Sequence, residues 1–423
     1  MDYEVPSKED YFIACTYAML LVLLLHIFLC TYSSVPHHDL DLEANIRAYK
    51  SWTQAGPNSS SSSSRHHGPT QLFPAPVGLP KWFRPVDSTL FKHATSGDRA
   101  PFNCTKSRSS PAFRICVHRK ENDKYISAAL LSSGVWEPFV TRVYQHALTL
   151  HPDAAVVDVG ANIGYYTLLA AAMGHSVVAV EPQHENLRRL AEAARAPEYG
   201  SSGDGDTSTI VFPSVGEGKT DADSIPRGEI GRNTGRILLL ANAVSDGHKN
   251  VSLTTSADNQ GGVRVIEDCG NTGWFLARVL GWERLYRYER SRNKHGNSQQ
   301  DCRVTTITMD DLLRVLPSSK VVIKVDIEGY ECRALATARR FFSAVQVPYI
   351  FMEWRQMRER QHDRDTHCSP GQVSSLALFL AEQGYVPHEV RSGVELNPAH
   401  ATGWVVGDVY WRAAGQKLLV PSW

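Results

Sequence analysis

The stretch "VVDVGANIGYYT" (156–167) limits what this chain can fold into more than any other. An unbroken apolar run reaches Asp158, turns through Gly160 and Gly164, and enters a helical pattern at Tyr165. A strand reads as continuously apolar when both its faces are covered, which is the situation inside a parallel sheet flanked by helices. "AAVVDV" (154–159) is such a strand, "YYTLLAAAMG" is the helix that Gly174 ends, and "SVVAVE" (176–181) is a second strand. The helix "HENLRRLAEAARA" and a third strand within "RILLLANAVSD" continue the alternation. Strands alternating with helices predict an α/β domain built on a doubly wound, mostly parallel sheet.

Further along, "VSLTT" (251–255) and "GGVRVIE" (261–267) pattern as a hairpin. "RVTTIT" is a strand, "MDDLLRVL" an amphipathic helix, and "KVVIKVDIEGYE" (320–331) a strand ending in acids. A helix "CRALATARRFF", the strand "VPYIFMEW", a helix near 370–383 and strands near 385–391 and 404–412 complete the domain, taken as residues 101–423. Two insertions, rich in Gly, Ser and Asp near 199–235 and in Arg, Trp and Tyr near 271–300, read as additions to the alternating pattern.

What precedes the domain has a different character. Residues 1–10 form a short acidic tail, and 11–32 carry no Asp, Glu, Lys or Arg around the centre "AMLLVLLLHIFLC". Roughly 20 apolar residues suffice to cross a bilayer as one helix, and the acidic front and long run favour an uncleaved signal-anchor over a cleaved signal peptide. Residues 33–100, rich in Pro, Ser and His, read as a flexible stem, and the pairs His37-His38 and His66-His67 as solvated linker. Sequons at Asn58, Asn103 and Asn250 point the domain into the secretory lumen, as a type II protein of the Golgi or endoplasmic reticulum. So does an even set of six cysteines beyond the span: Cys104, Cys116, Cys269, Cys302, Cys332 and Cys368. The formal net charge is zero and there is no long basic run, which argues against a nucleic-acid surface.

Ligands of open α/β sheets bind beyond the carboxyl ends of the strands. Glu181 follows Gly160 by 21 residues, the spacing at which an acid grips the hydroxyls of a ribose. Yet the turn has Asn162 where a dinucleotide fingerprint needs its second glycine, which disfavours a pyrophosphate and an NAD-linked oxidoreductase. S-adenosylmethionine satisfies both observations, being a nucleoside without phosphate. Asp158 then faces its ammonium group, Asn162 and the helix start at Tyr165 its amino-acid head, and Gly160 and Gly164 shape the turn.

The ordered set "DVGANIGYYTLLAA…VVAVEP", "NAVSD", "TMDDL…IKVDIEGYE…L…A" and "IFMEW" resembles the FkbM-type S-adenosylmethionine-dependent methyltransferases over about residues 150–355. The resemblance implies a class I methyltransferase fold, Rossmann-like, with a seven-stranded sheet whose last strand is antiparallel. It also implies methyl transfer, commonly to a hydroxyl oxygen. Such a transfer needs in-line geometry and a base for the hydroxyl proton. Asp326 and Glu328 are the candidates, with Asp326 preferred as the one that faces the reaction. Glu353 is a third acid on the rim, and Lys324 shares the face of Asp326 as a candidate ion-pair partner. No His/Asp cluster has metal-ligand spacing, so no metal is expected. The resulting expectation is a membrane-anchored O-methyltransferase acting on a hydroxyl-bearing acceptor, with glycan sugars the leading class. A cytosol-facing enzyme for a small molecule or lipid, and a non-catalytic binding module of the same fold, are the alternatives.

Overall fold

The computed structural model describes residues 71–72, 76, 78–86, 102–195, 235–256, 259–267, 303–363 and 367–419. Its first elements are β1 (Gln71–Leu72), the paired β2 (Asn103–Lys106) and β3 (Arg114–Val117), and the helices α1 (Ile126–Ser132) and α2 (Pro138–Leu150). Then come β4 (Ala155–Val159), α3 (Tyr165–Ala172), β5 (Val177–Val180), α4 (His184–Ala194) and β6 (Arg236–Leu240). A second group follows: β7 (Ala243–Val244), β8 (Asn250–Ser256), β9 (Asn259–Ile266) and β10 (Val304–Ile307). The last part holds β11 (Val321–Val325), α5 (Glu331–Leu335), α6 (Arg339–Ala344), β12 (Tyr349–Glu353), α7 (Arg355–Arg360), α8 (Pro370–Glu382), β13 (Tyr385–Glu389) and β14 (Asp408–Ala413).

The main sheet has the order β1-β6-β5-β4-β11-β12-β14-β13. Its pairs are parallel from β1 to β12, and β14 runs antiparallel to both β12 and β13. Without β1 this is the expected seven-stranded sheet with one reversed strand; β1 adds an eighth. Alternation along each strand divides the core in two. Val157, Val159, Val178, Val180, Leu238 and Leu240 pack on one face, and Val156, Val177, Ala179, Ile237 and Leu239 on the other. The strand order reverses between β4 and β11, so a crevice opens beyond their carboxyl ends.

Several expectations are corrected. The stem does not run unbroken to residue 100: β1 pairs with the outer side of β6, and Phe83 is buried in the core. The Val86 N–H donates to Leu239 O and the Ala241 N–H to Arg84 O. Covering the β6 edge satisfies backbone groups that an exposed edge would leave open. The third strand expected within "RILLLANAVSD" is β6, and the stretch breaks after it at buried Asn242, whose amide accepts from the Arg84 N–H and donates to Trp82 O and Thr305 O. β7 therefore enters a separate four-stranded sheet, β7-β10-β8-β9, which holds the predicted hairpin.

The amphipathic helix read in "MDDLLRVL" is a 3-10 turn over Asp310–Arg314. Asp311 accepts from Thr308 N and Oγ1, while Asp310 caps α6 at the Phe341 N–H. "CRALATARRFF" divides into α5 and α6, and the Asp310 cap on α6 comes from 31 residues upstream. The 11–32 span, most of the stem and nearly all of both insertions lie outside the described residues. No described helix is long and apolar enough to cross a membrane.

Candidate active site

A cavity of about 550 Å³ fills the crevice. The β4–α3 turn forms one end. Gly160 (φ +85°), Asn162 (φ +52°) and Gly164 (φ +91°) all lie in the left-handed region, which lets the chain reverse within five residues. Gly160 and Gly164 are there for packing as well as for the turn. A Cβ on Gly160 would meet Asp326 O at 2.0 Å, and one on Gly164 would meet a Leu190 methyl at 2.1 Å.

Asn162 is more occupied than its sequence position suggests. Its Oδ1 accepts from the Ile163 N–H at 2.7 Å and its Nδ2 donates to Gly261 O at 2.9 Å, tying the turn to the β8–β9 hairpin. Gln183 Nε2 donates to Gln260 O and Asn186 Nδ2 to Gly261 O, so the hairpin forms one wall of the cavity. Glu181, 4% exposed, accepts from the Asn162 N–H at 2.8 Å, the Gln183 N–H at 2.9 Å and Asn186 Nδ2 at 3.3 Å. Burial pushes its carboxyl up to about 7 against those donors. Asp158 accepts from the Thr167 hydroxyl, and burial raises it to about 6. The Tyr165 ring is buried edge-on to Phe113 and Tyr166, so its contribution to the cavity is largely core packing.

The other end is acidic. β11 stops at Val325, and in the loop beyond it Asp326 and Glu328 both line the cavity, although only Asp326 was expected to face the reaction. Glu328 sits at φ +58°, a strained conformation for a non-glycine residue. Burial and the neighbouring Asp326 charge push it to about 7, against Arg264, Arg355 and Arg360. Lys324, 1% exposed, donates to Asp326 Oδ2 at 2.8 Å and lies 4.9 Å from the centre of the Tyr166 ring. Burial alone would lower its pKa, but Asp326, Glu137 and Asp408 together raise it above the ordinary lysine value.

Two acids here had no distinctive sequence signal. Glu137 precedes α2 at φ +42° and accepts from the Tyr166 hydroxyl at 2.7 Å; burial and then Asp408 raise it to about 8. Asp408 opens β14 directly opposite Glu353 of β12, and burial raises it to about 6. Among the described residues, the three non-glycine residues with positive φ (Glu137, Asn162 and Glu328) all line this one cavity. Strain concentrated at a cavity is the pattern expected of a functional site. Among the described residues no group of three His, Cys, Asp or Glu has an arrangement that could hold a metal ion.

A network beneath the cavity fixes the hairpin to the β11 loop. The Tyr330 hydroxyl donates to Glu267 and lies 3.0 Å from Ser245 Oγ, while Lys249 donates to both Glu267 and Asp246 at 2.8 Å. Arg333 donates to Asp246 at 2.7 Å.

Residues 158–387 match the family model described as the Methyltransferase FkbM domain, which is more than half of the chain. No curated protein and no solved structure matches.

Proposed function

The chain belongs to the FkbM methyltransferase family, and from that premise we propose that it transfers the methyl group of S-adenosylmethionine to a hydroxyl oxygen of an acceptor in the secretory pathway. The observation that carries the reading is one cavity with a glycine turn and Glu181 at one end and a set of carboxylates at the other. A carboxylate offers about four acceptor sites, so the three donors on Glu181 leave one for a ribose hydroxyl. Asp158 supplies negative charge beside the turn for an ammonium group. The Asn162 side chain is tied to Gly261 O, and the turn lacks the glycine that lets a backbone approach a pyrophosphate closely. These features fit a sulfonium nucleoside. When bound, S-adenosylmethionine supplies an electrophilic methyl carbon. The chain's own residues orient the acceptor, exclude water and receive the hydroxyl proton.

Calorimetric titration of S-adenosylmethionine into the full-length protein tests this. We expect binding that Glu181→Ala weakens at least tenfold, roughly 1.4 kcal/mol, with NAD silent. A folded wild type that binds neither ligand would sink the reading. Unchanged affinity in the alanine variant would remove Glu181 from it.

Two disulfides support the secretory part. Cys104–Cys116 joins β2 to β3, and Cys332–Cys368 ties α5 to the start of α8. Paired cysteines are characteristic of oxidising compartments. Cys269, Cys302 and Asn58 lie outside the described residues, whereas Asn103 and Asn250 are both exposed. The glycan class of acceptor rests on this placement. Peptide mapping of the protein from its own cells should find N-glycans at Asn103 or Asn250. Bare sequons together with free thiols at Cys332 and Cys368 would place the domain on the cytosolic side.

A further inference from the structure

We propose that Glu353, rather than Asp326, is the catalytic base that takes the proton from the acceptor hydroxyl, an assignment that rests on the methyl-transfer reading above. Glu353 ends β12, the strand beside β11, and lines the acidic end of the cavity. It is 8% exposed, and its Oε2 has no hydrogen-bond partner among the described residues. A buried acceptor atom left open costs about 1–3 kcal/mol, a cost that a hydroxyl donating to that oxygen would remove. Its other oxygen receives only a long contact, 3.5 Å from Arg355.

The neighbouring acids are placed differently. Asp326 Oδ2 holds Lys324, and a proton taken there would strip a buried ammonium of its counter-ion. Glu137 is occupied by the Tyr166 hydroxyl, Asp158 by Thr167, and Glu181 by two backbone N–H groups and Asn186. Glu328 and Asp408 are only half-buried, less enclosed than Glu353.

The groups facing Glu353 are Asp326 and Glu328 from the loop after β11, Glu331 of α5, Asp408 of β14 and Arg355 of α7. Burial first, and then those four acids, hold its carboxyl well above the ordinary range. In its ionised form, a base of raised pKa pulls more strongly on a hydroxyl proton. In the step, an acceptor oxygen lone pair forms the new O–C bond and the methyl carbon–sulfur bond breaks. That electron pair stays on sulfur, the acceptor proton passes to Glu353 Oε2, and solvent later removes it.

Glu353→Gln tests the assignment in the full-length protein. S-adenosylhomocysteine should bind the variant and the wild type equally in calorimetry. A wild type that does not bind it would sink the methyl-transfer reading itself, apart from the choice of base. With that ligand bound and glutamate carboxyls 13C-labelled, the resonance missing from Glu353→Gln should titrate at least about one unit above the ordinary glutamate value near 4.3. A midpoint in the ordinary range overturns the proposal, and this readout needs no acceptor. With neutral methyl glycosides as hydroxyl probes, kcat should fall about 10²-fold or more. The rise of rate with pH, which reports ionisation of the base, should vanish in Glu353→Gln and persist in Asp326→Asn and Glu328→Gln. Its persistence in Glu353→Gln and loss in either of the others overturns the proposal.

Discussion

Gly160→Ala should destabilise the protein by about 2–5 kcal/mol and abolish binding of S-adenosylmethionine. An alanine held at φ +85° costs about 1–2 kcal/mol on its own. The larger part is steric. The new Cβ would lie 2.0 Å from Asp326 O, 2.9 Å from Asp326 C and 2.8 Å from an Ile327 methyl. The first two are backbone atoms and cannot swing aside. The Asp326 N–H donates to Val159 O at 3.0 Å, so relief requires prising the β11 loop from the β4 turn. Overpacking of this kind costs about 1–3 kcal/mol or more. Thermal unfolding should show a fall on the order of 10 °C. A variant melting within a degree or two of wild type, with cofactor affinity intact, would show that the two loops are not locked together.

Lys324→Met should be the second severe change, at about 2–4 kcal/mol near neutral pH. Methionine fills the volume, so the loss is one of charge. Removing one member of a buried ion pair costs about 3–5 kcal/mol, discounted here because the Asp326 side chain is 27% exposed. The pH dependence separates charge from packing. Lys324 has a raised pKa, so its contribution is complete below the unfolded lysine value, near 10.4, and falls away only as pH rises through the still higher folded value. Across pH 5 to 9 its own titration therefore adds no pH dependence, and any change in that window comes from the acids around it.

Glu137 and Asp408 are also raised, to about 8 and about 6. For each, the folded state keeps its proton after the unfolded chain has lost it. Their contribution to stability is therefore fully present below the unfolded carboxylate values and is lost as pH rises through the folded ones. Without the ammonium both values climb further and the loss deepens. The melting-temperature gap between wild type and Lys324→Met should thus be at least twice as large at pH 8.5 as at pH 5.5. An equal gap at both would mean that Lys324 matters only as packing.

Both predictions concern residues whose importance could be read early but whose reason could not. Gly160 is conspicuous in "DVGANIG", where it reads as shaping the turn; the atom it makes room for is the carbonyl of Asp326, in the other diagnostic motif. Of Asp326 and Glu328, only Asp326 was expected to face the reaction. The strand ends one residue earlier, and the left-handed turn at Glu328 brings both acids to the cavity. Residues 71–86 carry the composition of a tether, yet Phe83 enters the core because the β6 edge needs a partner, and local composition is blind to that need.

The sequence by itself determined the alternation of strands and helices, the ends of the central strands, and so the place where a ligand must sit. Those properties follow from hydrophobic periodicity and turn chemistry, which act over a few residues. Only the tertiary structure decided which acids share the site. Asp408 meets Glu353 through antiparallel register between β12 and β14, and Glu137 reaches the cavity through the Tyr166 hydroxyl. No local pattern encodes such meetings. They arise when strands from distant parts of the chain pair around a common core, and the charges carried at their ends are then buried together beside one lysine.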